Sequence, residues 1–163
     1  MAPTTNERWG VVGHEWAVAT LSHHISATRV HHAYLFTGVS AIGKRTLAVA
    51  FARAMLCKQQ NSPCTTPNLC RVCVLISTGK HPDVFMLGPT ISGKFVGSAK
   101  IGIKPIRRLV RQFSLRPVES DRRLAIITDF EAAGPMASDA LLKTLEEPPG
   151  NGVILLTADS CAE

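Results

Sequence analysis

Short apolar runs recur along the chain, separated by stretches with helical spacing. Ala33-Tyr34-Leu35-Phe36 leads into Gly38 and reads as a buried strand. From Lys44 to Leu56, the residues Leu47, Phe51, Ala54 and Met55 fall at i, i+4, i+7 and i+8, one apolar face of a helix. Val84-Phe85-Met86-Leu87, Leu124-Ala125-Ile126-Ile127 and Val153-Ile154-Leu155-Leu156 are three further runs of strand length. Helices are expected at Lys104–Phe113, at Met136–Glu146 before Pro148-Pro149, and after Gly13 through Trp16, Ala19, Leu21 and Ile25. Trp9 and Trp16 are expected to pack near that entry helix. Apolar strands alternating with helices predict an α/β fold, a parallel sheet with helices on both faces. Residues 1–8, polar from Pro3 to Arg8, are expected to form a disordered leader. Gly88 to Gly102, with four glycines and two lysines, is expected to be a mobile surface loop.

At 163 residues and 45% hydrophobic, the chain can bury one substantial core, assigned to residues 9–163. No run approaches the roughly 18 apolar residues of a membrane span, and Met1–Gly10 lacks the apolar stretch of a signal peptide. A cytoplasmic protein without a membrane partner is expected. The net charge of +6 is unevenly placed. Eight basic and two acidic residues lie between Lys100 and Arg123, so this segment alone carries the whole excess. Such a concentration points to a localised anionic partner.

Gly38-Val-Ser-Ala-Ile-Gly43-Lys44 matches the phosphate-loop pattern G-x-x-x-x-G-K and sits between a strand and a helix. The glycines let backbone N–H groups turn toward phosphates, Lys44 reaches the outer ones, and the helix N-terminus adds positive dipole. The next position should be Ser or Thr, whose hydroxyl holds magnesium. Here it is Arg45, with Thr46 one place later. One residue rotates a helix by about 100°, so Thr46 is expected to point elsewhere. The expectation is a loop that keeps its shape and binds phosphate or ATP, if at all, without efficient hydrolysis.

Five cysteines occur, four of them at Cys57, Cys64, Cys70 and Cys73 in C-x6-C-x5-C-x2-C spacing. Four thiolates suit a closed tetrahedral zinc site, structural rather than catalytic. Buried or free thiols are the plainer alternative, and His81 is a conceivable substitute for Cys64, which precedes a long gap. Cys161 has no partner in this pattern. The pairs His23-His24 and His31-His32 suit helix-end and strand-start roles better than a metal site.

Several stretches together resemble one family, the bacterial DNA polymerase III clamp-loader subunits. They are Val12-Gly13-His14, His32-Ala-Tyr-Leu-Phe-Thr-Gly38 running into the phosphate loop, the cysteine knuckle, Gly79-Lys-His-Pro-Asp83, and Ala140-Leu-Leu-Lys-Thr-Leu-Glu-Glu-Pro-Pro149. The resemblance runs from about Trp9 to Ser160. It implies an AAA+ ATPase-type P-loop fold in a pentameric machine that loads a sliding clamp onto primed DNA, with gamma/tau and delta subunits as partners. Counted back without gaps from Ala140, the family's Walker B aspartate position holds Thr128 and its catalytic glutamate position holds Asp129. A shift of one residue gives Asp129 and Phe130 instead. Either register is damaged, because threonine supplies no anion toward magnesium and aspartate is shorter than a water-activating glutamate. With Arg45, this favours the non-hydrolysing delta-prime kind. The alternatives are a gamma/tau-type ATPase or, more remotely, an AAA+-related nucleotide sensor outside replication. Thr157 resembles the sensor-1 position. The family's Ser-Arg-Cys motif, fifth strand, lid and collar do not follow Glu163, so a domain truncated before its last strand is expected, with the phosphate-loop strand at an open sheet edge.

Lys104, Arg107, Arg108 and Arg111 stand at i, i+3, i+4 and i+7, opposite Ile106, Leu109, Val110 and Phe113. Like charges at this spacing destabilise a helix by about 0.2–0.5 kcal/mol per pair, so the stripe does not serve the helix itself. DNA backbone contact, a neighbouring subunit's acidic residues, or a solvated face are the readings it supports. Lys143, Glu146 and Glu147 are expected on the exposed side of the last helix, within reach of a neighbour or nucleotide.

Overall fold

The structure, a computed structural model, describes residues 5–59, 63–65, 67–91, 94–95 and 100–159. Helices α1 (Thr5–Trp9) and α2 (Glu15–Ser26) precede strand β1 (Ala33–Gly38), which leads into α3 (Lys44–Leu56). Then come α4 (Arg71–Ser77), β2 (Val84–Leu87) and the short strands β3 (Thr90–Ile91) and β4 (Lys94–Phe95). Helix α5 (Ile103–Phe113), β5 (Leu124–Ile127), α6 (Pro135–Glu146) and β6 (Val153–Asp159) complete the described chain.

The main sheet has the order β1-β6-β5-β2, and every neighbouring pair is parallel. Side chains on a strand alternate between faces, and this alternation divides the core. Leu124, Ile126, Val153 and Leu155 join Trp9, Phe51 and their neighbours on one side. Ala125, Ile127, Ile154 and Leu156 join α5 and α6 through residues such as Ile106, Phe113 and Leu141. All four residues of β5 are buried, as a strand covered on both faces must be. The outer strands differ. Leu35 of β1 is 59% exposed, and β1 pairs only with β6 among the described residues.

Three expectations need correction. Residues 5–8 are not a disordered leader: they belong to α1, which ends on Trp9, a buried ring stacked 6.1 Å from Phe51. Burial of that ring ties the segment to α3, whereas residues 1–4 lie outside the described ones. Trp16, by contrast, is 75% exposed. It lies in the first turn of α2, off the stripe formed by the buried Ala17, Val18 and Leu21. Within the glycine-rich segment, Thr90–Ile91 pairs antiparallel with Lys94–Phe95, while residues 92–93 and 96–99 are outside the described set.

The motif Gly79-Lys-His-Pro-Asp83 has a structural reason. Asp83 is fully buried and accepts hydrogen bonds from the backbone N–H groups of Val118, Glu119 and Ser120 at 2.7, 2.9 and 2.9 Å. Its own N–H donates to His81 Nδ1 at 3.1 Å. Arg123 lies 3.9 Å away, donates to the carbonyls of Gln112 and Arg116, and covers the Phe85 ring. One carboxylate thus organises the turn between α5 and β5 and the entry of β2. Burial alone would raise its pKa, but the three N–H donors outweigh burial and hold it below the usual carboxylate value.

Because the folded-state pKa is depressed, Asp83 stabilises the fold above about pH 4 and loses that contribution as pH falls through the folded value. Asp83→Asn is expected to cost about 2–4 kcal/mol at neutral pH. Thermal melts of the two proteins should converge as the pH is taken from 7 toward 3.

Candidate functional site

The phosphate-loop motif lies where it was expected, between β1 and α3. Gly43 precedes the helix with φ 99°, a left-handed conformation that suits glycine, and this turns the loop back over the start of α3. His14 Nε2 lies 3.0 Å from the Ile42 carbonyl, so the Val12-Gly13-His14 motif fastens α2 to the loop. The cleft beside the loop holds about 270 Å³ and is lined by Lys44, Arg45, Thr46, Asp129, Thr157 and Asp159 together with the loop itself. Thr46 is exposed and is among the residues bordering the cleft. Both it and Arg45 stand on the first turn of α3, where the open end of the helix borders the cleft.

Lys44 is held inside the structure. Its side chain is only 9% exposed, and its Nζ donates to the carbonyls of Gly38 and Val39 at 2.9 and 2.8 Å and to Asp159 Oδ1 at 2.6 Å. Asp159 was missed in the sequence. Its one signal is a charge at the end of an otherwise apolar strand, two residues past Thr157.

The two candidate Walker B positions separate cleanly. Thr128 is buried, its N–H donates to the Leu87 carbonyl, and a Cβ built at Gly88 would overlap its Oγ1. It is not among the cleft residues. Asp129 is, and its N–H donates to Thr157 Oγ1 at 3.1 Å. Burial, then the charges of Glu131 and Asp159, push the Asp129 pKa up, while Lys44 and Arg45 pull against that shift. The residue after Asp129 is Phe130, so no glutamate follows the aspartate that faces the loop.

The cysteines converge. One ligand atom from each of Cys57, Cys64, Cys70 and Cys73 lies within 4.8 Å of all the others. The Cys57 sulfur is 3.5 Å from that of Cys64 and 3.9 Å from that of Cys70. Sulfurs at tetrahedral corners about 2.3 Å from a zinc ion are about 3.8 Å apart, so a set gathered within 4.8 Å could close on one ion by small side-chain shifts. Cys57 caps α3, Cys70 caps α4 and Cys73 lies in its first turn; α4 was not legible in the sequence. Cys64 belongs to the set after all, its loop fixed by a hydrogen bond from Arg53 to the Cys64 carbonyl. His81 does not, being committed to Asp83 and lying 3.4 Å from Glu119. Burial opposes ionisation at Cys57, but the N–H of Gln59 and the neighbouring thiols bring it down to about 7. Burial, by contrast, pushes Cys73 up to about 12. Cys161 is outside the described residues.

On α5, Lys104, Arg107, Arg108 and Arg111 are all exposed, while Ile106, Leu109 and Phe113 are buried. Lys143 and Glu146 of α6 and Glu147, which caps it, are exposed. Of the histidine pairs, His24 bonds the Tyr34 hydroxyl at 3.1 Å and meets the His31 ring edge-on. No helix among the described residues is long and apolar enough to cross a membrane.

A four-stranded parallel sheet flanked by helices, with a G-x-x-x-x-G-K segment at the end of its first strand and the cleft residues at the strands' carboxyl ends, defines an α/β domain. The family described as "DNA polymerase III, delta subunit" matches residues 13–163, and the chain belongs to it. Similar proteins include the DNA polymerase III subunit delta' of Pseudomonas aeruginosa, 37% identical over 125 residues, covering 77% of this chain and 36% of that protein. The subunit delta' of Bacillus subtilis is 32% identical, covering 85% of this chain and 40% of that protein. The subunit gamma of Buchnera aphidicola is 28% identical, covering 91% and 39%. The chain thus spans about two-fifths of the length of these relatives. A solved gamma subunit-related protein from Thermotoga maritima has the same fold, with a TM-score of 0.61 at 23% identity, covering 86% of this chain and 38% of that one.

Proposed function

We propose that this chain is the P-loop domain of a clamp-loader subunit of the delta-prime kind, a non-hydrolysing member of the complex that loads the sliding clamp onto primed DNA. Gamma and tau subunits stand among its relatives beside delta-prime ones, so the reading rests on the chemistry of the cleft. One observation carries it. The groups that would anchor magnesium and activate water are displaced or replaced, although the loop around Lys44 is whole. Arg45 fills the place of the magnesium-binding hydroxyl, Thr128 is turned into the sheet, and the aspartate facing the loop is followed by phenylalanine. Such a domain serves as a fixed wall against which ATPase neighbours of the gamma/tau type work, in the cytoplasm and in company with a delta subunit.

The cysteine cluster is proposed to hold one structural zinc, all four positions being protein thiolates and none open for chemistry. Purified protein should contain one zinc per chain by elemental analysis. Cys70→Ser should lose it and lower the melting temperature, since metal binding to such a set is coupled to folding. Four freely alkylated thiols and no metal would remove this part of the proposal.

For the cleft, the expected outcome is no magnesium-dependent ATP turnover above background by the purified chain, together with copurification of gamma/tau and delta subunits. Brisk turnover abolished by Lys44→Ala would replace this reading with that of a gamma/tau-type ATPase.

The exposed stripe of α5 is proposed to meet the DNA backbone within the assembled complex, where cations contribute sequence-independent, salt-dependent affinity. Replacing Arg107, Arg108 and Arg111 with alanine should weaken DNA binding by the complex most at low salt. The slope of log affinity against log salt should flatten by up to about 3. An unchanged slope would return the stripe to solvent.

A further inference from the structure

The phosphate loop of this chain already holds an anion, and that anion is one of its own side chains. A lysine ammonium has three N–H donors and no acceptor. In Lys44 all three are used, two by the carbonyls of Gly38 and Val39 and the third by Asp159 Oδ1 at 2.6 Å. The two carbonyls belong to the same turn as the lysine and come with the shape of the loop. Asp159 does not. It arrives 115 residues later, at the end of β6, and it reaches the ammonium because β6 pairs with β1 in a register that sets Asp159 beside Gly38.

The pair is unequal in its surroundings. Lys44 is 9% exposed in its side chain and Asp159 is 44% exposed. The lysine depends on internal partners, whereas the carboxylate could turn to water without leaving a buried charge unpaired. A polyphosphate entering the cleft must take the third donor of Lys44, the contact that a phosphate loop supplies to the outer phosphates. It meets Asp159 on that donor, with Asp129 in the same cleft. Like charges brought together there oppose entry, and Arg45 and the loop N–H groups are left to offset them.

We infer that Asp159 is a specificity-determining residue of this cleft, an internal competitor that occupies the phosphate-binding lysine and keeps the loop closed to polyphosphates. This rests on the reading of Gly38–Lys44 as a phosphate loop, and it adds a cause for weak nucleotide engagement that is separate from the missing magnesium ligands. Loss of hydrolysis follows from Arg45 and Phe130, and loss of phosphate affinity follows from Asp159.

Asp159→Asn keeps the shape and removes the charge. The test is titration of the whole chain with inorganic pyrophosphate, without divalent metal, by isothermal calorimetry. The variant should bind up to about fivefold more tightly than the unaltered chain, the size expected when a partly exposed ion pair of about 1 kcal/mol no longer competes. The gain should vanish in the double variant Lys44→Ala/Asp159→Asn, which separates release of the lysine from a general fall in negative charge. Asp159→Ala provides a second route should the asparagine variant fold poorly, with melting temperatures checking each protein. Equal or weaker pyrophosphate binding by both folded variants would overturn the inference, as would a gain that survives the loss of Lys44. ATP turnover is measured on the same proteins. A chain that hydrolyses ATP while Asp159→Asn changes nothing would sink both readings. Tighter binding without turnover supports both, and tighter binding with turnover would leave Asp159 as the competitor while ending the non-hydrolysing assignment.

Discussion

Everything in this domain hangs on the parallel pairing of β6 between β1 and β5. That strand is the only one in the main sheet with five successive buried residues, Val153 to Thr157, and it divides the four apolar ones between the two cores. Its register brings Gly38 beside Asp159 and Ile127 beside Leu156. The phosphate loop, the turn after β5 and the end of β6 thereby converge at one rim of the sheet. Without that pairing Lys44, Asp129 and Thr157 would be three unrelated residues in sequence. With it, the hydrogen bond from Asp129 to Thr157 and the ion pair from Lys44 to Asp159 are consequences of one register.

Around this centre, two polar devices hold segments that the apolar core leaves loose. Asp83 replaces part of a core by gathering three backbone donors on one buried carboxylate, joining β2 to the turn that precedes β5. The cysteine cluster does the same for the residues between α3 and α4, a region poor in apolar side chains apart from Leu69. Both draw distant backbone to a point, and both depend on burying charge or potential charge with its partners already in place. The basic face of α5 is different in kind. Its cations stand in solvent and leave the folding of the helix to Ile106, Leu109 and Phe113.

On the function proposed for it, the cleft separates a backbone shape suited to phosphate from the side chains that hydrolysis needs. The shape is made of backbone: a glycine in the left-handed region, a helix start, and a lysine bonded to its own loop. The chemistry needs particular side chains at the strand end, and there the geometry favours Asp129 over Thr128. Gly88 is the reason, because the missing side chain on the β2 side leaves the space that Thr128 Oγ1 fills. That hydroxyl finds no hydrogen-bond partner, and it faces the sheet and not the loop.

The sequence alone determined the class of fold, because apolar runs and helical spacing are local patterns that the core then obeys. It located the phosphate loop, the four cysteines and the cationic stripe, since each is written at fixed short spacing. It overlooked α1 and α4, short helices whose stability comes from Trp9 stacked on Phe51 and from cysteines converging across a loop, contacts that no window of neighbouring residues contains. It left the Walker B register open between Thr128 and Asp129, since adjacent positions at a strand end differ only in the face they present. Only the tertiary structure placed Asp129 at the cleft with Thr128 buried away from it, and only it revealed Asp159 on Lys44, because an ion pair between residues so far apart exists once strand pairing has set their distance and not before.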